Sequence, residues 1–377
     1  MMIIRPIAAA DIGALFQLAL HAGVGLTTLP ANEELLQARI DASLASFAGT
    51  SERAEQIFVF VLEDTASHKI VGICAIAAAV GLRQPWYSYR VGQVVHASQE
   101  LGIFTQTPTL FLSNDHTGQS ELCSLFLDPN YRQGKNGSLL SKCRFLFIAQ
   151  FRERFSKKII AELRGVSDAE GKSPFWESLG RHFFSMEFKD ADYLTGIGKK
   201  SFVAELMPKH PLYSSFLTPA AQAVIGQTHE LTKPALSMLE SEGFRFEGHV
   251  DIFDAGPAVE CDVEDIDAVA KSRLYKVAMA VPITVPVTVP TAAPNAHEPS
   301  VDKAGTNYLV ANTWLTHFRV MLVRGEPAGE TFPLSAEDAQ ALGVNAGDNV
   351  RVVTLSPKDR VAGSVVQQNR PKDRVAG

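Results

Sequence analysis

The chain has 377 residues, 46% of them hydrophobic and 20% charged, and a net charge of −6. That is enough for two or three domains with a substantial core, and the acidic balance argues against a broad nucleic-acid-binding surface. Four cysteines, Cys74, Cys123, Cys143 and Cys261, lie apart in apolar surroundings without a CxxC pair, a pattern of buried thiols in a reducing compartment rather than of a disulfide or metal framework. Asp11 interrupts any apolar leader core, and the longest apolar run, 71–82, is too short to span a bilayer. A cytoplasmic protein with no membrane contact is expected.

In chain order, Met2–Ile7 reads as a strand, and Asp11 as the N-cap of a helix carrying Ile12, Leu15, Phe16 and Ala19. A second helix is predicted over 32–47. Apolar runs at 57–62 and 70–80 flank the polar turn DTASHK and predict a hairpin. The aromatic stretch 83–107 carries no clear periodicity. Two strands follow at 109–113 and 121–127. Next come a glycine-containing loop, a helix with Leu139, Leu140, Cys143, Leu146 and Phe147 on one face, and a strand at 158–163. Ser173 and Pro174 open a helix expected to reach Phe184, and a strand is expected at 202–206. Helices at 218–225 and 233–242, the second closed by Gly243, precede a strand at 246–253. The alternation without a strict βαβ beat predicts an α/β (α+β) fold with a mixed sheet and helices on its faces.

The expected organisation is a main α/β domain over 1–255, a connecting segment over 256–281, and a linker over 282–306. In that linker Pro282, Pro286, Pro290 and Pro294 recur every four residues. A small β-rich C-terminal domain is expected over 307–356, with a segment resembling part of a double-psi β-barrel. PKDRVAG occurs at 357–363 and again at 371–377, which reads as a disordered tail or duplication scar over 357–377.

The most informative segment is 121–139, ELCSLFLDPNYRQGKNGSL. It reads as strand, turn and helix start, an arrangement that presents backbone N–H groups to phosphate. It resembles the CoA pyrophosphate cradle of the GNAT acyl-CoA N-acyltransferases, whose signature is Arg/Gln-x-x-Gly-x-Gly/Ala. Arg132 and Gly137 match its ends, whereas Lys135 replaces a glycine and Gly134 falls one place early. Asn136 tolerates left-handed geometry and Lys135 brings a positive charge. Arg132, Gly134, Lys135, Asn136, Gly137 and Ser138 are therefore the candidate CoA-binding residues.

Further segments, FLSNDHTGQSELCSLFLDP, KCRFLF, AELRGVSDAEGKSPFWESLGRHFFSMEF, KKSFVAELMPKHPLY and EGFRFEGHVDIFDAGP, together resemble the arginine N-succinyltransferase family. The likeness runs from Met1 to about Ala280, weakens through the proline-rich segment and returns in part over 318–353. It implies a GNAT-like fold and transfer of succinyl from succinyl-CoA to the α-amine of L-arginine in arginine catabolism. It also implies succinyl-CoA as co-substrate with no permanently bound cofactor, and a homo-oligomer or a paired related subunit. The family's succinyl-CoA contact falls on Leu125, whose backbone would stabilise an oxyanion. Its proton donor falls on His229, within IGQTHELTKPAL, where the flanking residues depart from the family's.

Asp115 and His116 are rival candidates for taking the amine's proton. Asp251, Asp254, Glu121 and Glu162 are candidates for the guanidinium, and Arg90 and Arg164 for substrate carboxylates. No GxSxG elbow, HExxH or Cys–His array is present, so no metal is expected. Three alternatives stay open: an ornithine-preferring or mixed-subunit enzyme, an acetyl-CoA-dependent enzyme, and a non-catalytic binding or scaffold protein.

Overall fold

The computed structural model describes residues 1–22, 29–196, 201–280 and 305–360. Fifteen strands among these form one continuous mixed sheet. Its centre is made by β1 (Met2–Pro6), β2 (Ile57–Asp64), β3 (Lys69–Ala77), β6 (Ser120–Leu127) and β7 (Lys158–Glu162), and a long hairpin of β4 (Ser88–Ser98) and β5 (Ile103–Ser113) lies toward one edge. The short β8 (Leu212–Tyr213), β9 (Arg245–Val250) and β10 (Pro257–Asp262) extend it at one side. At the other side stand β11 (Arg273–Met279), β12 (Asn307–Asn312), β13 (Val320–Arg324), β14 (Thr331–Leu334) and β15 (Asn349–Thr354). β1 joins the two parts by pairing with both β2 and β13.

Two helices pack on the N-terminal part of the sheet. Asn32 accepts the Leu35 N–H to open α2 (Glu33–Ala48), packed beside α1 (Ile12–Ala22). α3 (Asn136–Gln150) lies across the sheet and buries Leu139, Leu140, Cys143, Leu146 and Phe147 in the main core. Phe147 meets Phe47, Phe58, Phe60 and Phe318 with ring centroids 5.0–5.8 Å apart, so residues from both ends of the chain share one aromatic cluster.

Four local expectations change. Asp11 does not cap α1 from outside: it ends a 3-10 turn, and its carboxylate accepts the Ala8 N–H and pairs with Arg5. The stretch 83–107 contains β4 and the first five residues of β5, paired in register from Ser88↔Ser113 to Ser98↔Ile103. The helix expected from Ser173 to Phe184 is two, α4 (Pro174–Ser178) and α5 (Gly180–Phe184). They part at Leu179, and Gly180 packs so closely on Trp176 that a Cβ would sit 2.2 Å from the indole. The expected strand at 202–206 is helical: after α6 (Phe188–Gly196), α7 covers Ser201–Leu206. Val203 and Met207, four apart, are both buried in the second core around Trp176, a helical spacing.

β10 pairs with β7 and β9, whereas β11 pairs with β14 and β15. The segment 256–281 thus contributes a strand to each part of the sheet. Most of the proline-rich segment and the tail beyond Arg360 lie outside the described residues; Pro357–Arg360 is a 3-10 turn. Among the described residues no helix is long and apolar enough to cross a membrane.

Candidate active site

Two departures from regular sheet geometry build the site. β6 and β7 run parallel but pair only at Ser120↔Ile159 and Glu121↔Ile160; beyond that they diverge and leave a wedge. On its other side β6 carries a bulge against β3, where Cys74 alone faces Ser124 and Leu125. Ser124 takes the left-handed conformation at φ +54°, which twists the strand and re-aims its next peptide. The Ser124 hydroxyl is held by the Arg39 guanidinium of α2. A cavity of about 370 Å³ fills the wedge, lined by residues 121–126 of β6 and 161–164 at the end of β7.

Below the wedge lies the glycine-containing loop. Gly134 and Lys135 are both left-handed, at φ +61° and +70°. Lys135 therefore adopts the conformation for which a glycine is ordinarily used, at a cost of about 1 kcal/mol. Arg132 Nε donates to Leu127 O at 3.1 Å, and Asn136 Nδ2 to Tyr131 O at 3.0 Å, which fixes the loop on the end of β6. The first backbone hydrogen bond into α3 is from Leu139 N–H to Lys135 O. The N–H groups of Gly137 and Ser138 find no backbone acceptor among the described residues, so the positive end of a 15-residue helix is open.

His229 connects the two segments that form the far wall. Its backbone N–H donates to Arg164 O at 2.9 Å, and Leu231 and Thr232 line the cavity beside Arg164. Its ring Nδ1 accepts the Leu231 N–H at 3.2 Å, which places the proton of the neutral imidazole on Nε2. Partial burial, and then the charge of Arg164, lower its pKa from the ordinary value, with Glu230 opposing. Both effects favour the neutral ring near pH 7.

Asp251 and Asp254 line the cavity but are engaged by backbone. Asp254 accepts Gly165 N–H at 2.7 Å and Gly256 N–H at 2.8 Å. It thereby clamps two loops so close that a Cβ on Gly256 would sit 2.1 Å from Leu163 O. Asp251 accepts from Phe253 and Asp254. Burial raises both carboxyls above the usual range, Asp254 most. Glu121 and Glu162 line the same cavity near its vertex.

The remaining candidates lie elsewhere. Asp115 and His116, offered as proton acceptors for the amine, fold against β9 and β10 rather than into the wedge. His116 is 1% exposed with Nε2 3.2 Å from Glu260, and Asp115 bonds His249 at 3.2 Å. Both side chains are thereby occupied away from the cavity. Arg90, on β4, is exposed, 3.8 Å from Asp115, and does not line the cavity. His116, His249 and Glu260 bring possible metal-ligand atoms within 4.8 Å of one another. Glu260 there is already neutralised by His116 and Lys158, which hold its carboxyl down at about 2.

Sequence reasoning missed Arg39, Ser124 and Arg144, none of which carries a local motif.

A strand bulged beside a diverging parallel neighbour, over an open helix N-terminus, is the arrangement that the sequence resemblance to the GNAT-like acyltransferases implies. Comparison with known proteins narrows it. The family model of the arginine N-succinyltransferase beta subunit matches residues 2–268, and that of its C-terminal domain matches 292–354. The arginine N-succinyltransferase of Enterobacter sp. (strain 638) is 53% identical over 96% of this chain and all of the relative. That of Escherichia coli (strain K12) is 52% identical with the same coverage. The solved structure of arginine/ornithine succinyltransferase subunit AI from Pseudomonas aeruginosa superposes with a TM-score of 0.82 at 36% identity, covering 94% of this chain and 99% of that one. The chain belongs to the arginine N-succinyltransferase family.

Proposed function

We propose that the wedge binds the thioester of succinyl-CoA against the bulge at Ser124–Leu125, with the pyrophosphate on the N–H groups of Gly137 and Ser138. The α-amine of L-arginine then attacks the thioester carbonyl directly, forming the C–N bond as the C–S bond breaks. The observation that carries this reading is the coincidence of wedge, bulge and open helix N-terminus on one continuous stretch, 120–138. Positioning and stabilisation of the developing oxyanion by the re-aimed backbone at Leu125 supply most of the rate.

One proton must pass from the attacking amine to the departing sulfur. The Nε2–H tautomer of His229 supports a hydrogen bond from Nε2–H to the departing sulfur, and the proton shed by the amine is the one the sulfur takes up. Arg132 and Lys135 add positive charge near the phosphates, and Arg164 closes the wall beside His229. Glu121 and Glu162, which line the same cavity, would meet the guanidinium.

Thiol release, followed with succinyl-CoA and a panel of amino acids, tests the reading. Arginine is expected to give the highest kcat/KM, above ornithine, with acetyl-CoA a poor donor. Equal use of acetyl-CoA, or no release with any amine, would sink it; a preference for ornithine would reassign the acceptor.

A further inference from the structure

Arg144 is 2% exposed, yet it lines the wedge cavity. Its partners among the described residues are both on Ser141, the carbonyl at 2.9 Å from Nε and the hydroxyl at 3.1 Å from Nη2. No carboxylate lies within ion-pair distance of it among the described residues. A guanidinium has five N–H donors in a fork shaped for a carboxylate, and a buried cation without a counter-charge is costly. The same helix shows the alternative two residues earlier: Lys142, also buried, is 2.7 Å from Glu242.

Position adds to the argument. Arg144 stands about 10 Å along α3 from Gly137 and lines the cavity together with Ser124 and Leu125 of the bulge. An acetyl group brings no carboxylate to its donors; a four-carbon acyl group ending in a carboxylate does.

We propose that Arg144 is the carboxylate-binding residue of this cavity and sets the preference for a dicarboxylic acyl donor. This rests on the acyltransferase reading above and deepens it. The sources of a carboxylate are the distal end of the acyl chain and the α-carboxylate of the amino acid, and the test separates them.

Wild type, Arg144→Lys and Arg144→Met are compared with succinyl-CoA against butyryl-CoA as donor, and with arginine against agmatine, which lacks the carboxylate, as acceptor. Wild type is expected to prefer succinyl-CoA over butyryl-CoA by about 100-fold or more in kcat/KM. Arg144→Met should lower kcat/KM for succinyl-CoA by a comparable factor and leave butyryl-CoA within about threefold, and Arg144→Lys should restore part of the selectivity. Loss of arginine-over-agmatine selectivity instead would keep the carboxylate role but overturn the donor assignment.

Thermal unfolding guards against a merely structural effect. Arg144→Met should unfold at or above the wild-type temperature without ligand, because it removes an unpaired buried charge, and should lose the stabilisation that succinate gives wild type. Unchanged selectivity on both arms in a folded variant overturns the proposal. A wild type that transfers no acyl group overturns the underlying function instead; Arg144 is then judged by whether succinate stabilises wild type more than Arg144→Met.

Discussion

Lys142 and Arg144 are buried cations two residues apart on α3, and their surroundings differ completely. Lys142 donates to Glu242 at 2.7 Å and to Leu355 O at 3.2 Å, and Glu242 also accepts the Ala268 N–H at 2.8 Å. That network ties α3 to the end of α9 (Lys233–Glu240), to α10 (Asp267–Lys271) and to the chain just past β15, and it is closed. Arg144 faces the cavity, and among the described residues its side chain hydrogen-bonds to Ser141 alone. A structural buried charge is satisfied by protein, whereas a charge kept for a ligand is left with spare donors. The same contrast separates the His116–Glu260–Lys158 cluster, whose charges are matched, from the open N–H groups of Gly137 and Ser138.

The largest expected effect comes from breaking the closed network. Lys142→Ala leaves Glu242, which is fully buried, without its cation. It should lower stability by about 3–5 kcal/mol, read from denaturant midpoints. Lys142→Met combined with Glu242→Leu should recover much of that loss. A loss below about 1 kcal/mol in the single variant would mean that the pair is not the fastening point of the C-terminal strands.

His229 belongs to the open class, one nitrogen satisfied and one free to act. His229→Gln should lower kcat by about 100-fold or more with the fold retained. The sign of the pH dependence follows from the depressed pKa. Protonation puts a hydrogen on Nδ1 against the Leu231 N–H, so activity falls as pH drops through a value below about 6.5. That acid limb should vanish in His229→Gln, and its persistence would assign it to another group.

The smallest effect concerns the loop. Lys135→Gly removes the left-handed strain and is expected to raise stability by about 0.5–1 kcal/mol, measured by equilibrium denaturation. The lost ammonium should weaken CoA binding a few-fold, in line with the ~1 kcal/mol of an exposed charge contact. A hundred-fold loss of affinity would make the side chain, rather than the loop's backbone, the main contact.

Much of the framework was legible in local signals. Ser173 caps its helix by the side-chain bond expected of it, helices form at 33–48 and 219–224 close to the spans expected, and the hairpin 57–77 follows its turn. The β4–β5 hairpin was not legible, because Pro85, Gly92, Gly102 and Pro108 break the alternation and the strands gain their order from each other. Helix α7 was misread because Phe202, Val203 and Leu206 fit either period, and burial against Trp176 decided between them. In the site, the loop 132–138 was visible because glycine placement is a local backbone requirement. Asp115, His116 and Arg90 looked equally suitable by residue type, but distant partners had claimed them or left them outside the wedge.

By itself the sequence determined the family, the strand–loop–helix that ends in an open N-terminus, and the histidine offered as donor. These depend on residues close together in the chain, where glycine, caps and short spacings act directly on the backbone. The divergence of β6 from β7, the bulge at Ser124, and which of two neighbouring cations is paired were decided only by tertiary structure. Lys142 finds its counter-charge 100 residues away, and Arg144 finds none among the described residues, because charge pairing in a low-dielectric core depends on what the fold brings within a few ångströms.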